Sequence, residues 1–416
     1  MKRYLISCLL LSLCFFLLQT MQIKAQERIQ EITLDEAIQL LLTNNLELQE
    51  NKLEIEKARG HRTTASLWSN PTFSFYREDL STGSLDYAEV IFGLDYQFDL
   101  SGQRGLRKRA AQFALSAAGS QFDHEQNMMI FEVKRVYLMT VFAKKRLVLL
   151  KQTAEVFKKA ALTGTDRFEE GDISGFDHIR LRVERTRYQS ELAYAQIEYD
   201  NVKRELGVLI GPPDVTVEYE PREGLTYLPL HLTLEQLLNK ARQHRPDLKR
   251  IEHLLRSSRE TLRLTKRERY PLFNLSAGYK RQRDDFKGPV FGVNLSLPLF
   301  DRNQGRVTTN RAELLQQQRR RTYLEKQTEM EVVNAFTKVQ RLDSQLKRLD
   351  EELLLDAEQI LEIAQFSYKE GHMSLLELLD AARSHYESQL AYYQLLSNYR
   401  LALFELEKAT GTTLEN

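Results

Sequence analysis

The chain has 416 residues with 59 basic against 58 acidic side chains, a net charge of +1 and 42% hydrophobic content. The balance excludes the one-signed charge of a nucleic-acid groove, so no nucleic acid is expected as a partner, and the apolar share is enough to bury a core. Cys8 and Cys14, the only cysteines, lie in the first 25 residues, which leaves the rest of the chain no disulfide and no thiolate metal site.

The first element is a leader. "MKRYLISCLLLSLCFFLLQTMQIKA" has a basic start, an apolar run from Tyr4 to Leu18, and Ile23-Lys24-Ala25 before Gln26. This is the pattern of a secretory signal peptide over 1–25. A membrane anchor is the competing reading, but the run is shorter than the roughly 20 residues a spanning helix needs. Too few residues precede Cys8 for a lipoprotein signal.

Beyond the leader the chain writes itself twice at an offset of 200 residues. Thr33-Leu34 matches Thr233-Leu234, Pro71 and Phe73 match Pro271 and Phe273, Gly105 matches Gly305, and Leu206 and Gly211 match Leu406 and Gly411. The expected organisation is repeat 1 over 26–211, a linker over 212–233 that holds four of the nine prolines, repeat 2 over 234–411, and a tail over 412–416.

Each repeat opens with a segment of helical period, 34–67 and 234–268, the second broken at Pro246. Two strands follow in each, at about 71–78 and 89–100, then about 271–281 and 290–299. Val90, Phe92, Leu94, Tyr96, Phe98 and Leu100 share one face, and Gly93, Asp95, Gln97 and Asp99 the other. In the second repeat Phe291, Val293 and Leu295 oppose Gly292, Asn294 and Ser296. Trp68 and Tyr270 precede the prolines, either as an aromatic belt at a membrane edge or as core residues.

Helical period then persists from Gln103 to about Thr163 and from Asn303 to about Phe366, long enough for helices of roughly 90 Å. Val332, Ala335, Val339, Leu342, Leu346, Leu349 and Leu353 form a coiled-coil seam, and Leu379, Ala382, Tyr386, Leu390, Tyr393 and Leu396 offer its partner across a turn. The turns themselves are twins: "FEEGDIS" at 168–174 and "YKEGHMS" at 368–374, placing the two tips at about 164–175 and 367–374.

Four alternating strands are too few to close, and open edges are not tolerated against lipid. They pack either as a soluble sheet or as part of a barrel shared by several copies. Three copies give twelve strands and room for an open lumen, whereas two give a plugged eight.

"YKEGHMSLLELLDA" resembles the second-tip pattern of TolC-type outer-membrane efflux channels, and "LSGQRG" and "LPLFDRNQG" resemble the CzcC-like branch, the outer-membrane component of heavy-metal cation efflux. The resemblance covers nearly all of the chain after the leader. It implies a mainly α protein with a small β part, with long antiparallel coiled-coil hairpins forming a periplasmic tunnel and four strands per chain completing a trimeric twelve-stranded outer-membrane barrel.

It also implies partners: a homotrimer, outer-membrane lipid, a periplasmic adaptor of the membrane-fusion type and an inner-membrane pump of the resistance-nodulation-division (RND) type. Gly171, Ser174, Tyr368, Gly371, Ser374, Leu378 and Leu379 are the candidate adaptor-docking tips. Asp172, Asp177, Glu377 and Asp380 form either an acidic ring at the tunnel mouth or a solvated coiled-coil surface. Gly93, Asp95, Gln97, Asp99, Gly292, Asn294 and Ser296 line the barrel lumen.

No catalytic constellation, cofactor motif or metal-ligand pair occurs, and His372 and Met373 read as exposed turn residues in preference to a metal relay. The expected function is that of a passive duct driven by its pump, most naturally for metal cations. A multidrug or type I secretion channel of the same fold is the alternative, and a non-conducting periplasmic scaffold is the reading outside the channel class.

Overall fold

The computed structural model describes residues 28–83, 85–211, 217–349 and 351–414, so the expected leader over 1–25 and the end of the tail lie outside it. The elements are β1 (Arg28–Ile32), α1 (Leu34–Asn44), α2 (Leu46–Ser66), β2 (Thr72–Thr82), β3 (Leu85–Phe98), α3 (Gln103–Glu169), α4 (Gly175–Ile210), β4 (Val217–Pro221), α5 (Leu234–His244), α6 (Pro246–Arg267), β5 (Phe273–Gln282), β6 (Lys287–Leu295), α7 (Gln304–Leu346), α8 (Glu351–Lys369) and α9 (Leu375–Thr410). They divide into two units, one holding residues through Leu46 with 128–231 and 335–406, the other 47–127, 232–334 and 407–416. Each unit draws on both repeats.

The repeat is visible in how its first helices begin and end. Thr33 and Thr233 cap α1 and α5, each accepting from the backbone N–H three residues on, while Glu36 and Gln236 return a bond to the cap. This reciprocal pairing satisfies two otherwise orphaned donors at each helix start. Both helices then stop after eleven residues, at Asn45 and Arg245. Pro246 explains the second break, as expected. The first was expected to be unbroken and is not: Asn45 turns its side chain to donate to the Leu209 carbonyl, 2.8 Å away. Arg245 does the same for the Ala409 carbonyl at 3.2 Å, so both repeats tie this corner to the end of their last helix.

In the first unit β1 and β4 pair in parallel from Arg28↔Val217 to Ile32↔Pro221. That sheet was not legible, and it places a strand inside the segment expected to be a linker. It covers a core of Ile32, Leu41, Val133, Val136, Leu206, Ile210 and Tyr219. A second core joins α3, α4, α8 and α9 through Leu150, Phe157, Leu181, Tyr188, Ala364, Leu379 and Ala382, with Phe157 stacked on Tyr188 at 4.3 Å.

α3 is a single helix of 67 residues, roughly 100 Å long. Its counterpart, expected to run unbroken from 303 to 366, is interrupted after Leu346 and resumes as α8. No proline or glycine marks the break, but Asp343, one turn earlier, accepts from the Tyr227 hydroxyl at 2.5 Å. Of the expected seam, Ala335, Val339, Leu346, Leu379, Ala382, Tyr386 and Leu396 are buried in this unit. Leu353 lies outside the residues whose side chains are described.

The second unit holds a four-stranded antiparallel sheet in the order β2-β3-β5-β6. Its helices carry a buried ion cluster in which Arg245, only 8% exposed, forks onto Asp247 at 2.6 and 2.9 Å and also reaches Glu331. Burial alone would raise the Asp247 carboxyl, but the Arg245 hydrogen bonds and charge outweigh it and hold the group below its ordinary value.

A carboxylate held low stabilises the fold above its unfolded pKa of about 4 and loses that contribution as pH falls through the lowered value. Arg245→Ala is therefore expected to cost about 3 kcal/mol at neutral pH, since it removes a buried guanidinium and leaves the half-buried Asp247 carboxylate without its partner. Asp247→Asn should flatten the acid limb of the thermal-unfolding midpoint below about pH 4. Melting curves of the protein in detergent across that range check both.

Candidate functional site: the twin turns and the four-stranded sheet

Each turn joins two long helices, and its residues follow from what helix ends leave unpaired. In the first, the Gly171 N–H donates to the Phe168 carbonyl at 3.1 Å and the Asp172 N–H to Arg167 at 2.8 Å. In the second, Gly371 donates to Tyr368 at 3.2 Å and His372 to Ser367 at 2.8 Å. This pair of bonds requires a left-handed residue at the glycine, and φ is +82° at Gly171 and +79° at Gly371.

Three residues later the next helix needs an N-cap, and Ser174 and Ser374 supply it. Ser174 Oγ accepts from the Asp177 N–H at 3.1 Å, and Ser374 Oγ from the Glu377 N–H at 3.4 Å. Gly-x-x-Ser is thus a helix stop followed by a helix start, with the shortest connection that accommodates both.

The structure separates the expected tip residues into two sets. Gly171, Ser174, Gly371 and Ser374 are exposed. Tyr368, Leu378 and Leu379 are 2–3% exposed and belong to the core beneath the turns, so they shape the tip without being presented on it. Asp172 and Asp380 are exposed on the surface. Asp177 and Glu377 are engaged as capping groups: Asp177 Oδ2 accepts from the Ser174 hydroxyl at 2.7 Å, and Glu377 Oε2 from the Ser374 N–H and hydroxyl at 2.9 and 2.7 Å. Those bonds hold the Glu377 carboxyl below its usual range.

Two contributors were missed by sequence reasoning. Arg167 lies over the Tyr368 ring at 5.4 Å and donates to its carbonyl at 3.3 Å, joining one hairpin to the other. At Gly164 a β-carbon would stand 2.2 Å from Leu181 Cδ1, so the missing side chain is what lets α3 and α4 close. An isolated glycine inside a strong helical pattern was the available signal.

On the sheet, register sorts the side chains cleanly. Phe73↔Leu94↔Ala277↔Phe291 and Phe75↔Phe92↔Tyr279↔Pro289 line one face. Ser74↔Gly93↔Gly278 and Asp95↔Ser276↔Gly292 line the other, with Gln97, Asn274 and Asn294. The apolar face is open: Phe73 is 68% and Phe291 79% exposed. The polar face is crowded with small groups, and Ser74 donates to Asp95 at 3.1 Å.

Five of the seven expected lumen residues, Gly93, Asp95, Gln97, Gly292 and Asn294, share this face. Asp99 and Ser296 lie past the strand ends, where Asp99 accepts from the Ser101 and Arg104 N–H groups at 3.0 and 2.7 Å and caps the start of α3. Trp68 is 62% exposed with Arg104 stacked 4.2 Å above it, which sets aside the core reading.

Among the described residues no helix is long and apolar enough to cross a membrane, and no group of three or more His, Cys, Asp or Glu is placed to hold a metal ion.

Residues 237–412 match the family model for outer membrane efflux protein. A Pseudomonas aeruginosa membrane protein of known structure superposes over 94% of this chain and 92% of its own, with a TM-score of 0.77 at 21% identity. The chain has the TolC-type fold. Among curated relatives, the cobalt-zinc-cadmium resistance protein CzcC of Cupriavidus metallidurans is 23% identical over 384 residues, covering 91% of this chain and 90% of that protein. The cation efflux system protein CusC of Escherichia coli K12 is 23% identical over 404 residues, 89% of this chain and 84% of its own. The expected resemblance to TolC-type channels and their CzcC-like branch is borne out, and with it the fold class and the outer-membrane location.

The turn geometry gives a direct test. A β-branched residue at φ near +80° costs about 2 kcal/mol or more, so Gly371→Val is expected to open the turn. Ser374→Ala removes the cap for about 1 kcal/mol. Hydrogen exchange should accelerate at the amides of Gly371, His372 and Glu377 in these variants while the strand amides keep their protection.

Proposed function

We propose that this protein is the outer-membrane channel of a tripartite efflux system, a passive homotrimeric duct that carries metal cations outward. The observation that carries the reading is the sheet. Its apolar face is open, its opposite face carries a patch of small polar residues and glycines, and the outer edges of β2 and β6 have no strand neighbour among the described residues. In lipid every strand must be paired, so the sheet is completed by other copies. Three copies supply twelve strands.

The twin turns then give six tips at the entry of the helical tunnel. They are the surface for a periplasmic adaptor, behind which an RND-type pump supplies the energy. The CzcC-like and CusC-like resemblance supports a metal cargo, because those relatives are named for cobalt, zinc and cadmium resistance and for cation efflux.

Cells lacking the protein are expected to become several-fold more sensitive to zinc, cobalt, cadmium, copper or silver, with little change toward dyes and detergents. Growth inhibition with complementation measures this. Sensitivity confined to organic compounds would move the cargo to the multidrug alternative. A soluble monomer in the periplasmic fraction would remove the channel reading altogether.

A further inference from the structure

The open face of the four-stranded sheet changes character at one rung. Four successive rungs are apolar, from Phe98↔Phe273↔Leu295 at the end where the strands join the helices to Phe75↔Phe92↔Tyr279↔Pro289. The next rung is Arg77↔Val90↔Arg281↔Lys287. Beyond it Arg283 donates to Asp86, on the same face, at 2.9 Å. All four cations are exposed.

Rungs on one face stand about 7 Å apart, so the four apolar ones take up most of the roughly 25 Å apolar band of an outer-membrane barrel. The basic rung is at the margin of that band. Past Thr82↔Leu85 and Arg281↔Lys287 the chain turns back in two hairpins, which puts this margin at the end of the sheet remote from the helices. The helices are periplasmic, and the margin is therefore the headgroup layer of the outer leaflet.

The charges on the rung are unevenly matched. Arg77 donates to Asp79 at 2.8 Å, as Arg283 does to Asp86, but Arg281 and Lys287 form no ion pair among the described residues. These two are direct cross-strand partners, which sets their β-carbons about 5 Å apart. Like charges so placed repel unless an anion lies between them. Arg77 stands two strands away, at about 10 Å, and Arg283 about 7 Å along the chain from Arg281. That spread suits a headgroup with two phosphates better than one with a single phosphate.

We infer that Arg281 and Lys287, flanked by Arg77 and Arg283, bind the phosphates of a phosphorylated outer-leaflet glycolipid, a lipid A-type disaccharide whose acyl chains lie along the apolar rungs beneath. A phosphate between Arg281 and Lys287 replaces their repulsion with two charge-assisted bonds, the guanidinium as a fork and the ammonium as a point charge. The rings of Phe75, Phe92 and Tyr279 stand one rung lower, where headgroup meets chain. The inference rests on the outer-membrane barrel of the proposed function and names a ligand for its outer rim.

The test uses the full-length trimer purified in detergent and washed free of lipid, read by its thermal-unfolding midpoint and by native mass spectrometry. Bisphosphorylated lipid A is expected to raise the midpoint by several degrees and to stay on the trimer, whereas dephosphorylated lipid A and phosphatidylglycerol bind several-fold more weakly. Arg281→Gln with Lys287→Gln should lose most of the lipid A binding. Without lipid the same variant should melt at or above the wild type, because the opposed charges are gone. Arg281→Lys keeps the charge and should keep the binding.

Equal stabilisation of the wild type by phosphorylated and dephosphorylated lipid A would overturn the inference without recourse to any variant. Full lipid A binding by a folded double-glutamine trimer would do the same. Phosphatidylglycerol held as tightly as lipid A would mean a general anionic surface and overturn the glycolipid assignment. In each of these cases the trimer seen by mass spectrometry leaves the channel reading standing. A chain that is monomeric in outer-membrane extracts would remove the barrel, and the inference with it.

Discussion

The constraint on which the rest depends is that backbone N–H and C=O groups have no partner in hydrocarbon except each other. A sheet of four strands satisfies three ladders and leaves the outer sides of β2 and β6 open. In water that edge is an aggregation hazard, and in lipid it is not viable. The side chains agree with the lipid solution. Large aromatic and aliphatic groups such as Phe73 and Phe291 stand exposed on one face, while the other face, around Ser74, Gly93, Asp95, Ser276 and Gly292, carries a patch of glycine, serine and aspartate. Close approach keeps that patch small: a β-carbon on Gly93 would meet Ser74 Oγ at 2.6 Å, and one on Gly292 would meet Ser276 Oγ at 2.4 Å.

The helical unit faces a different difficulty with the same physics. Helices of this length bury their ladders internally, so only their ends and faces need attention. The ends are met at the twin turns by a left-handed glycine and a capping serine, which leave few orphaned donors at an exposed tip. The faces are met by one core shared among α3, α4, α8 and α9, in which Tyr188 stacks on Phe157 and meets Tyr386 edge-on at 6.5 Å. Burial pushes the Tyr188 and Tyr386 hydroxyls up, as expected of phenols taken from water. That core lies directly beneath the turns.

The duplication gives both repeats the same local grammar and lets each diverge in its long-range ties. The corner after the first short helix is bound to the end of the last helix in both. One repeat uses a neutral amide, Asn45, and the other a buried guanidinium with two carboxylates around Arg245. The ionic version fixes geometry tightly and makes the second repeat's corner sensitive to acid. The amide version carries no charge to lose.

Much of this was legible in the sequence. The period-two alternation at 89–100 and 290–299, the unbroken helical period after Gln103, and the two Gly-x-x-Ser turns each express a local preference of the backbone, and local preferences are written within a few residues. The tertiary structure alone decided who partners whom over long separations. It paired β1 with a strand inside the expected linker, stopped α1 at Asn45 with no proline to announce it, interrupted the second long helix after Leu346, drew Tyr368, Leu378 and Leu379 beneath the tip, and turned Asp99 from a lumen residue into a helix cap. Those outcomes depend on which distant carbonyl or aromatic ring arrives nearby, and no periodicity in a single chain records that.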